Sequence, residues 1–155
     1  MTIRPLEEDA LDKLTEMICA LWPECDAAEE RLNYTRILKS TREGCLVARV
    51  GETIAGFIHL SVRHEHVEGA TGSPVAYIEG VYVEPQYRRT GVGRALVNAG
   101  RQWGAQMGCR HYASDAELHN TASHHFHLAN GFREVNRVVC YVQELPDTYP
   151  GNIDR

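Results

Sequence analysis

The stretch that most constrains this chain joins a strand to a helix through an Arg-x-x-Gly-x-Gly loop. From Val81 to Val97 it reads Val-Tyr-Val-Glu-Pro-Gln-Tyr-Arg-Arg-Thr-Gly-Val-Gly-Arg-Ala-Leu-Val. The β-branched and aromatic start predicts a strand, Pro85 indicates a turn, and the apolar spacing after Gly91 predicts a helix.

This loop has the properties of an anion site. Gly91 and Gly93 let the backbone approach a ligand closely, and the first N–H groups of the following helix have no partner within it. These donors, the positive end of the helix dipole and the side chains of Arg88, Arg89 and Arg94 all suit a pyrophosphate. The loop by itself predicts a phosphate-bearing ligand and does not name it.

The remaining pattern predicts an α+β fold. Helices are expected over 7–22, 27–40, 92–107 and 120–130, and strands over 46–50, 53–60, 75–83 and 112–114, with two strands or one bent strand over 132–145. Asp26 and Glu29 have capping-box spacing, and Gly131 is expected as a left-handed helix cap. Antiparallel hairpins with one crossover helix differ from a dinucleotide-binding fold, whose third glycine is also missing.

Composition narrows the class of protein. A chain of 155 residues is expected to form one domain over 1–145, with a tail over 146–155. The net charge of −5 argues against a nucleic-acid partner, and no apolar run is long enough to span a membrane. Five widely spaced cysteines without an export signal predict reduced thiols and a cytoplasmic location.

Two longer patterns resemble the GCN5-related N-acetyltransferases. They are Glu79-Gly80-Val81-Tyr82-Val83-x-Pro85-x-x-Arg88-Arg89-x-Gly91-Val92-Gly93 and Asn120-x-x-Ser123-x-x-Phe126-His127-x-x-x-Gly131-Phe132. The resemblance implies a mixed, mostly antiparallel twisted sheet flanked by about four helices, with acetyl-CoA as cosubstrate. The implied cofactor-binding residues are Val81 and Val83, which would pair with the pantetheine arm like a strand, and Arg88, Arg89, Gly91, Val92, Gly93, Arg94 and Asn120.

Six shorter segments resemble the aminoglycoside 6′-N-acetyltransferases within that superfamily. They are Leu21-Trp22-Pro23, Ser61-Val62-Arg63-His64, Gly72-Ser73-Pro74-Val75, Cys109-Arg110, Ala113-Ser114-Asp115 and Arg137-Val138-Val139. This likeness implies direct acetyl transfer to the 6′-amine of a polycationic antibiotic in a ternary complex, and therefore resistance. It also implies a homodimer formed through the C-terminal strands.

Two carboxylates are the first candidates for catalysis, because a substrate ammonium must lose a proton before its nitrogen can attack. Glu79 is a charge within an otherwise apolar strand, which indicates either a ligand or a solvent-facing edge. Asp115 follows a short strand and is either a site residue or a turn carboxylate. The resemblance favours the active site for both, and it gives His127 the place of a general acid that is Tyr in many relatives.

The remaining substrate-binding candidates follow from the narrower likeness. The spacing of Trp22 suggests a core residue, whereas the resemblance suggests a wall of the antibiotic pocket. His66 stands where some relatives have an aromatic residue, and Asn136 stands where a further acidic residue is expected. The eight histidines have no carboxylate or cysteine at a recognised zinc spacing, so no metal is predicted.

Two alternatives stay open at this point. One is the same chemistry on another amine, such as a polyamine, a small metabolite or a protein N-terminus. The other is a non-catalytic protein that senses acetyl-CoA.

Overall fold

A computed structural model describes residues 1–146 of the chain as a five-stranded sheet with four α-helices. The strands are β1 (Thr2–Pro5), β2 (Glu43–Val50), β3 (Thr53–Arg63), β4 (Val75–Val83) and β5 (His111–Ser114). The helices are α1 (Leu11–Leu21), α2 (Ala27–Ile37), α3 (Val92–Gln106) and α4 (Thr121–Ala129), and short 3-10 turns cover Glu8–Ala10 and Pro85–Tyr87.

The strands follow one another across the sheet in chain order. From β1 to β4 every pairing is antiparallel, whereas β5 runs parallel to β4, so the chain between them must cross over through α3. The predicted α+β class and mostly antiparallel sheet are therefore confirmed. β1 was not predicted, because its residues Thr-Ile-Arg-Pro carry little apolar signal and become a strand by pairing with β2.

Helices cover both faces of the sheet. On one face, α1 and α2 bury Leu14, Ile18 and Tyr34 against Phe57 of β3. On the other face, α3 packs its apolar stripe against side chains of β2, β3 and β4, namely Leu46, Ala48, Ile58, Leu60 and Ile78. Because successive residues of a strand point to opposite faces, β3 contributes to both cores and is the centre of the fold.

Both predicted helix caps are present. The Asp26 side chain accepts a hydrogen bond from the Glu29 amide at 2.8 Å and caps α2. Gly131 follows α4 with φ of +85°, a left-handed conformation that glycine adopts without a steric penalty.

The strand prediction over 132–145 is wrong for this structure. Within residues 1–146, the segment after Gly131 pairs with no strand, and its apolar side chains are exposed, among them Val138, Val139, Tyr141 and Val142. A pattern shows that a segment suits a strand, but a strand also needs a partner backbone. Most of the predicted tail, residues 147–155, lies outside the described residues.

Candidate active site

A bulge in β4 opens the sheet. Gly80 pairs with His59 and Ile78 pairs with Leu60, so Glu79 is the extra residue between two adjacent pairs. On the other side, the pairing of β4 with β5 ends at Ile78 and Ser114. Bulges bend a strand and aim a side chain, and here β4 and β5 separate at the position of Glu79.

The backbone of β4 faces this gap beyond the bulge. The Glu84 amide donates to the Ala55 carbonyl at 2.9 Å, so the alternating pattern turns the polar groups of Val81 and Val83 away from β3. The Val83 carbonyl accepts a hydrogen bond from Nε of Arg88 at 2.9 Å. This open edge fits an extended ligand that pairs as an additional strand.

The loop after β4 presents backbone amides at the start of α3. Gly91 is the N-cap with φ of +93°, and Arg89 also lies in the left-handed region with φ of 62°. The Ala95 amide donates to the Gly91 carbonyl, so the amides of Val92, Gly93 and Arg94 precede the first hydrogen bond of the helix.

Two glycines of the loop have different roles. No atom lies within 4 Å of a Cβ built on Gly91, so this residue borders open space, whereas a Cβ on Gly93 would approach the Phe126 ring to 2.8 Å. Gly91 is thus needed for its backbone conformation and Gly93 for the packing of α3 against α4. Unpartnered amides beside Arg88, Arg89 and Arg94 fit the pyrophosphate group of acetyl-CoA.

The opposite wall of the gap contains His127 and Ser114. His127 accepts or donates at both ring nitrogens: Nδ1 lies 2.7 Å from the Ser123 carbonyl and Nε2 lies 2.9 Å from Ser114 Oγ. A carbonyl only accepts, so Nδ1 carries the proton, and in the neutral ring Nε2 accepts the Ser114 hydroxyl proton. Asn120 caps α4 by accepting a hydrogen bond from the Ser123 amide at 2.9 Å.

Glu79 and Asp115 are joined through two residues that the sequence did not single out. The Arg63 guanidinium contacts both carboxylate oxygens of Glu79, at 2.9 and 2.8 Å, and lies 3.4 Å from the centre of the Tyr77 ring. The Tyr77 hydroxyl donates to Asp115 at 2.6 Å, and Ser61 donates to Glu79. Burial, and then the bond to Asp115, raise the pKa of Tyr77, so this hydroxyl keeps its proton.

Trp22 lies over Gly80, the residue after Glu79 in β4. Trp22 is 40% exposed, and its Cη2 atom would be 2.6 Å from a Cβ built on Gly80. An exposure of this size does not fit a core residue, and a wall of the antibiotic pocket stays a prediction for Trp22. A Cβ at position 80 would displace the Trp22 ring from this place.

His66 and Asn136 meet at a third carboxylate. The Asn136 amide donates to Glu68 at 2.9 Å, and Nε2 of His66 lies 3.5 Å from the other oxygen of Glu68. The hydrogen bond from Asn136, ahead of the contact with His66, lowers the pKa of Glu68. Glu68 therefore supplies an acidic group next to position 136, where the sequence itself has Asn.

The histidines near α4 do not converge with other ligands. Among residues 1–146, no three His, Cys, Asp or Glu side chains are close enough to hold a metal ion. No helix in the same range is long and apolar enough to span a bilayer.

The profile of the Acetyltransferase (GNAT) family matches residues 11–132, most of the chain. The chain belongs to the GNAT acetyltransferase family. Its relatives include an aminoglycoside N(6′)-acetyltransferase type 1 of Acinetobacter baumannii, 34% identical over 94% of this chain and 99% of the relative. The enzyme of the same name from Klebsiella aerogenes is 39% identical over 92% and 96% of the two chains.

A solved structure extends this relationship. The AAC(6′)-Iy enzyme, in complex with the bisubstrate analogue CoA-S-monomethyl-acetylneamine, superposes with a TM-score of 0.89 at 33% identity, over 93% of this chain and 98% of that chain. The GNAT fold and the likeness to the 6′-acetyltransferases predicted from the sequence are confirmed.

Five residues that contact the candidate residues were missed by the sequence analysis: Ser61, Arg63, Glu68, Tyr77 and Ser114. Ser61, Arg63 and Ser114 stand inside segments that carried the family likeness, which was the only signal for them. Glu68 lies in a polar loop, and Tyr77 lies in an apolar strand, so neither type nor spacing distinguishes them. Their importance comes from contacts with residues distant in the sequence.

Proposed function

We propose that this GNAT protein transfers the acetyl group of acetyl-CoA directly to the 6′-amine of aminoglycosides. Relatives that are 34% and 39% identical over more than 90% of this chain carry that activity in their names. The observation that supports the substrate class most strongly is the pair of carboxylates beside the gap between β4 and β5. Glu79 and Asp115 are linked through Tyr77 and Arg63.

Acetyl-CoA supplies a thioester whose carbonyl accepts the amine and whose thiolate leaves. The amides of Val92, Gly93 and Arg94 would bind its pyrophosphate, and the backbone of Val81 and Val83 would hold the pantetheine arm in the gap. These are backbone contacts, so they fix the donor in place irrespective of the acceptor.

The carboxylates would attract the ammonium groups of the aminoglycoside and accept a proton from the 6′-amine, directly or through water. Glu79 already faces a cation, Arg63, so a substrate ammonium shares this carboxylate with a guanidinium. Trp22 would provide an aromatic wall for a sugar ring or an ammonium group.

Protonation of the leaving thiolate is assigned to Ser114 and His127. The Ser114 hydroxyl lies where β4 and β5 separate, and His127 Nε2 is 2.9 Å behind it. A proton donated by Ser114 is replaced through the imidazole only when His127 is protonated on both nitrogens, because Nδ1 is bound to the Ser123 carbonyl.

The test measures the release of the CoA thiol from acetyl-CoA with each of four amines. It compares kanamycin and tobramycin with spermidine and a peptide that has a free N-terminus. We expect a higher kcat/KM for the two antibiotics. Preferred turnover of spermidine or the peptide would identify another amine as substrate. Calorimetric binding of acetyl-CoA without turnover of any of these amines would identify a sensor.

Resistance is a separate proposal that needs cells. Host cells that produce the chain are expected to grow at kanamycin concentrations that stop cells producing Glu79→Ala. Equal growth of the two strains at every kanamycin concentration would show that the acetyltransferase activity does not confer resistance. The five free cysteines and the use of acetyl-CoA support a cytoplasmic location.

A homodimer is the third part of the proposal. Residues 132–146 bear six large exposed apolar side chains, at positions 135, 138, 139, 141, 142 and 145. Over the described range, β5 is the last strand of the sheet. A second copy of the chain would cover both the segment and the strand edge. Light scattering is expected to give twice the mass of one chain for the wild-type protein. The double variant Tyr141→Asp with Val142→Lys should give the mass of one chain.

A further inference from the structure

Two cysteines outside the acetyl-transfer machinery lie in contact. Cys19 is in the last turns of α1, Cys25 is in the loop before α2, and their Sγ atoms are 3.0 Å apart. A disulfide bond is about 2.05 Å long, so a movement of about 1 Å separates these thiols from bonding distance. Both are partly exposed, whereas Cys45 is buried.

The turn between the two thiols carries Trp22. The Trp22 amide donates to the Ile18 carbonyl at 2.8 Å, and the Cys25 amide donates to the Trp22 carbonyl at 3.0 Å. These hydrogen bonds close the end of α1, and the Trp22 ring lies over Gly80 beside Glu79. A covalent link between Cys19 and Cys25 would therefore fix the backbone on both sides of this ring.

We propose that Cys19 and Cys25 are a reversible dithiol–disulfide pair whose oxidation fastens the Trp22 turn against Gly80. The link to the cleft rests on the proposed acetyltransferase function, whereas the formation of the disulfide does not. In a reducing compartment such a bond is transient and reports the redox state.

The oxidant is a low-molecular-weight disulfide such as oxidised glutathione. The hydrogen bond with Cys19, and then burial, raise the pKa of Cys25. Either thiol can start the exchange, and the steps with Cys19 as the first nucleophile balance as follows. Cys19 Sγ, having lost its proton to water, bonds to one glutathione sulfur, and the other leaves as a thiolate that takes up a proton. Cys25 then attacks Cys19 Sγ, loses its own proton and displaces the second glutathione, so two electrons pass from the protein sulfurs to the oxidant.

Peptide mapping tests the pair directly. Trypsin cleaves after Lys13 and Arg31, so one peptide, 14–31, contains both thiols and no other cysteine. After treatment with excess oxidised glutathione, this peptide is expected to lose two hydrogens without gaining glutathione, and reduction should reverse the change. Stable glutathione adducts on both Cys19 and Cys25, or an unmodified peptide, would overturn the proposal.

Stability provides a second readout. A short loop closed by a disulfide is expected to raise the Tm of the oxidised protein by roughly 5 °C over the reduced protein. Cys19→Ser and Cys25→Ser should each abolish the shift, and Cys140→Ser, which removes an exposed cysteine elsewhere, should retain it. A shift that persists in Cys19→Ser would contradict the assignment.

Kinetics test the link to the cleft. Fixing one side chain in its binding conformation is expected to lower the KM for tobramycin by about two- to tenfold on oxidation, with the KM for acetyl-CoA unchanged. An unchanged tobramycin KM in fully oxidised protein would overturn the link. If reduced protein acetylates no aminoglycoside at all, the proposed function fails, and the peptide map still decides whether the pair forms.

Discussion

The donor and acceptor halves of the candidate active site are built differently. The donor half is made of backbone from one continuous stretch, from the bulge in β4 through the loop to the first turn of α3. The proposed acceptor half is made of side chains from four parts of the chain, represented by Trp22, Arg63, Tyr77 and Asp115. The donor half is local in the sequence, and the acceptor half exists only after folding.

This difference between backbone and side-chain contacts matches the chemistry of the two proposed ligands. A pyrophosphate is recognised by amides and a helix dipole, which any sequence with the right backbone conformation presents. A polycationic amine is recognised by the number and spacing of carboxylates, which side chains must supply. Substitutions in one half should therefore change the KM of one substrate and leave the other unaffected.

The largest effect is expected from Glu79→Ala. The change removes a carboxylate and leaves the Arg63 cation facing a cationic substrate, so kcat/KM for tobramycin should fall by about 100-fold. Steady-state kinetics at saturating acetyl-CoA measure this fall. Glu65→Ala is the control, because Glu65 is an exposed carboxylate that lines, together with Glu79 and Arg63, a cavity of about 400 Å³. An equal loss in both variants would refute a specific role for Glu79.

Gly91→Val should act on the donor half alone. A β-branched residue at φ of +93° is strained, so the loop shifts and the KM for acetyl-CoA rises by about tenfold, while the KM for tobramycin changes little. Gly51→Val is the matched control, because Gly51 also has a positive φ with open space around it but lies in the β2–β3 turn. A similar rise in both variants would show that the effect comes from general destabilisation.

Tyr77→Phe should act on the acceptor half with a smaller effect. The ring remains under Arg63, and only the hydrogen bond to Asp115 is lost, so kcat/KM for tobramycin should fall by about two- to tenfold. The KM for acetyl-CoA should not change. A variant with wild-type kinetics for both substrates would remove Tyr77 from the positioning of Asp115.

The smallest effect concerns His59, buried between Tyr34 and Glu43. Burial lowers the pKa of His59 in spite of Glu43, so the native state binds fewer protons than the unfolded state, in which the pKa is about 6.5. The contribution of His59 to the free energy of unfolding should be constant above about pH 6.5. Below that pH it should fall, by at most about 1.4 kcal/mol per pH unit.

Urea unfolding at several pH values measures this dependence. In His59→Gln the fall below about pH 6.5 should be smaller than in the wild-type chain, whereas His125→Gln, at an exposed position, should follow the wild-type chain. Identical pH profiles for the wild-type and His59→Gln chains would exclude His59 as the source.

Local patterns predicted most of the helices and strands. The Asp26 cap, the Gly131 cap and the strand–loop–helix unit all depend on residues within a few positions of each other, so the pattern was sufficient. β1 and the segment after Gly131 were not predicted correctly, because whether an edge segment becomes a strand depends on the backbone beside it.

For the candidate site, the sequence predicted single residues but not the contacts between them. Glu79 was noticeable as a charge in an apolar strand, yet its pairing with Arg63 across β3 and β4 was not. His127 was predicted as a general acid, and the structure adds Ser114 on its Nε2 and the Ser123 carbonyl on its Nδ1. The roles of these residues in acetyl transfer remain predictions that the kinetic variants test.

The sequence by itself determined the α+β class, the phosphate-binding loop and the family, because each depends on short-range spacing and on residues that a backbone conformation requires. Only the tertiary structure decided which side chains meet at the proposed acceptor cleft. The contacts of Arg63 with Tyr77, of Asn136 with Glu68 and of Cys19 with Cys25 depend on how the sheet bends and how α1 meets α2. Such contacts bring together residues whose separation along the chain gives no sign that they will meet.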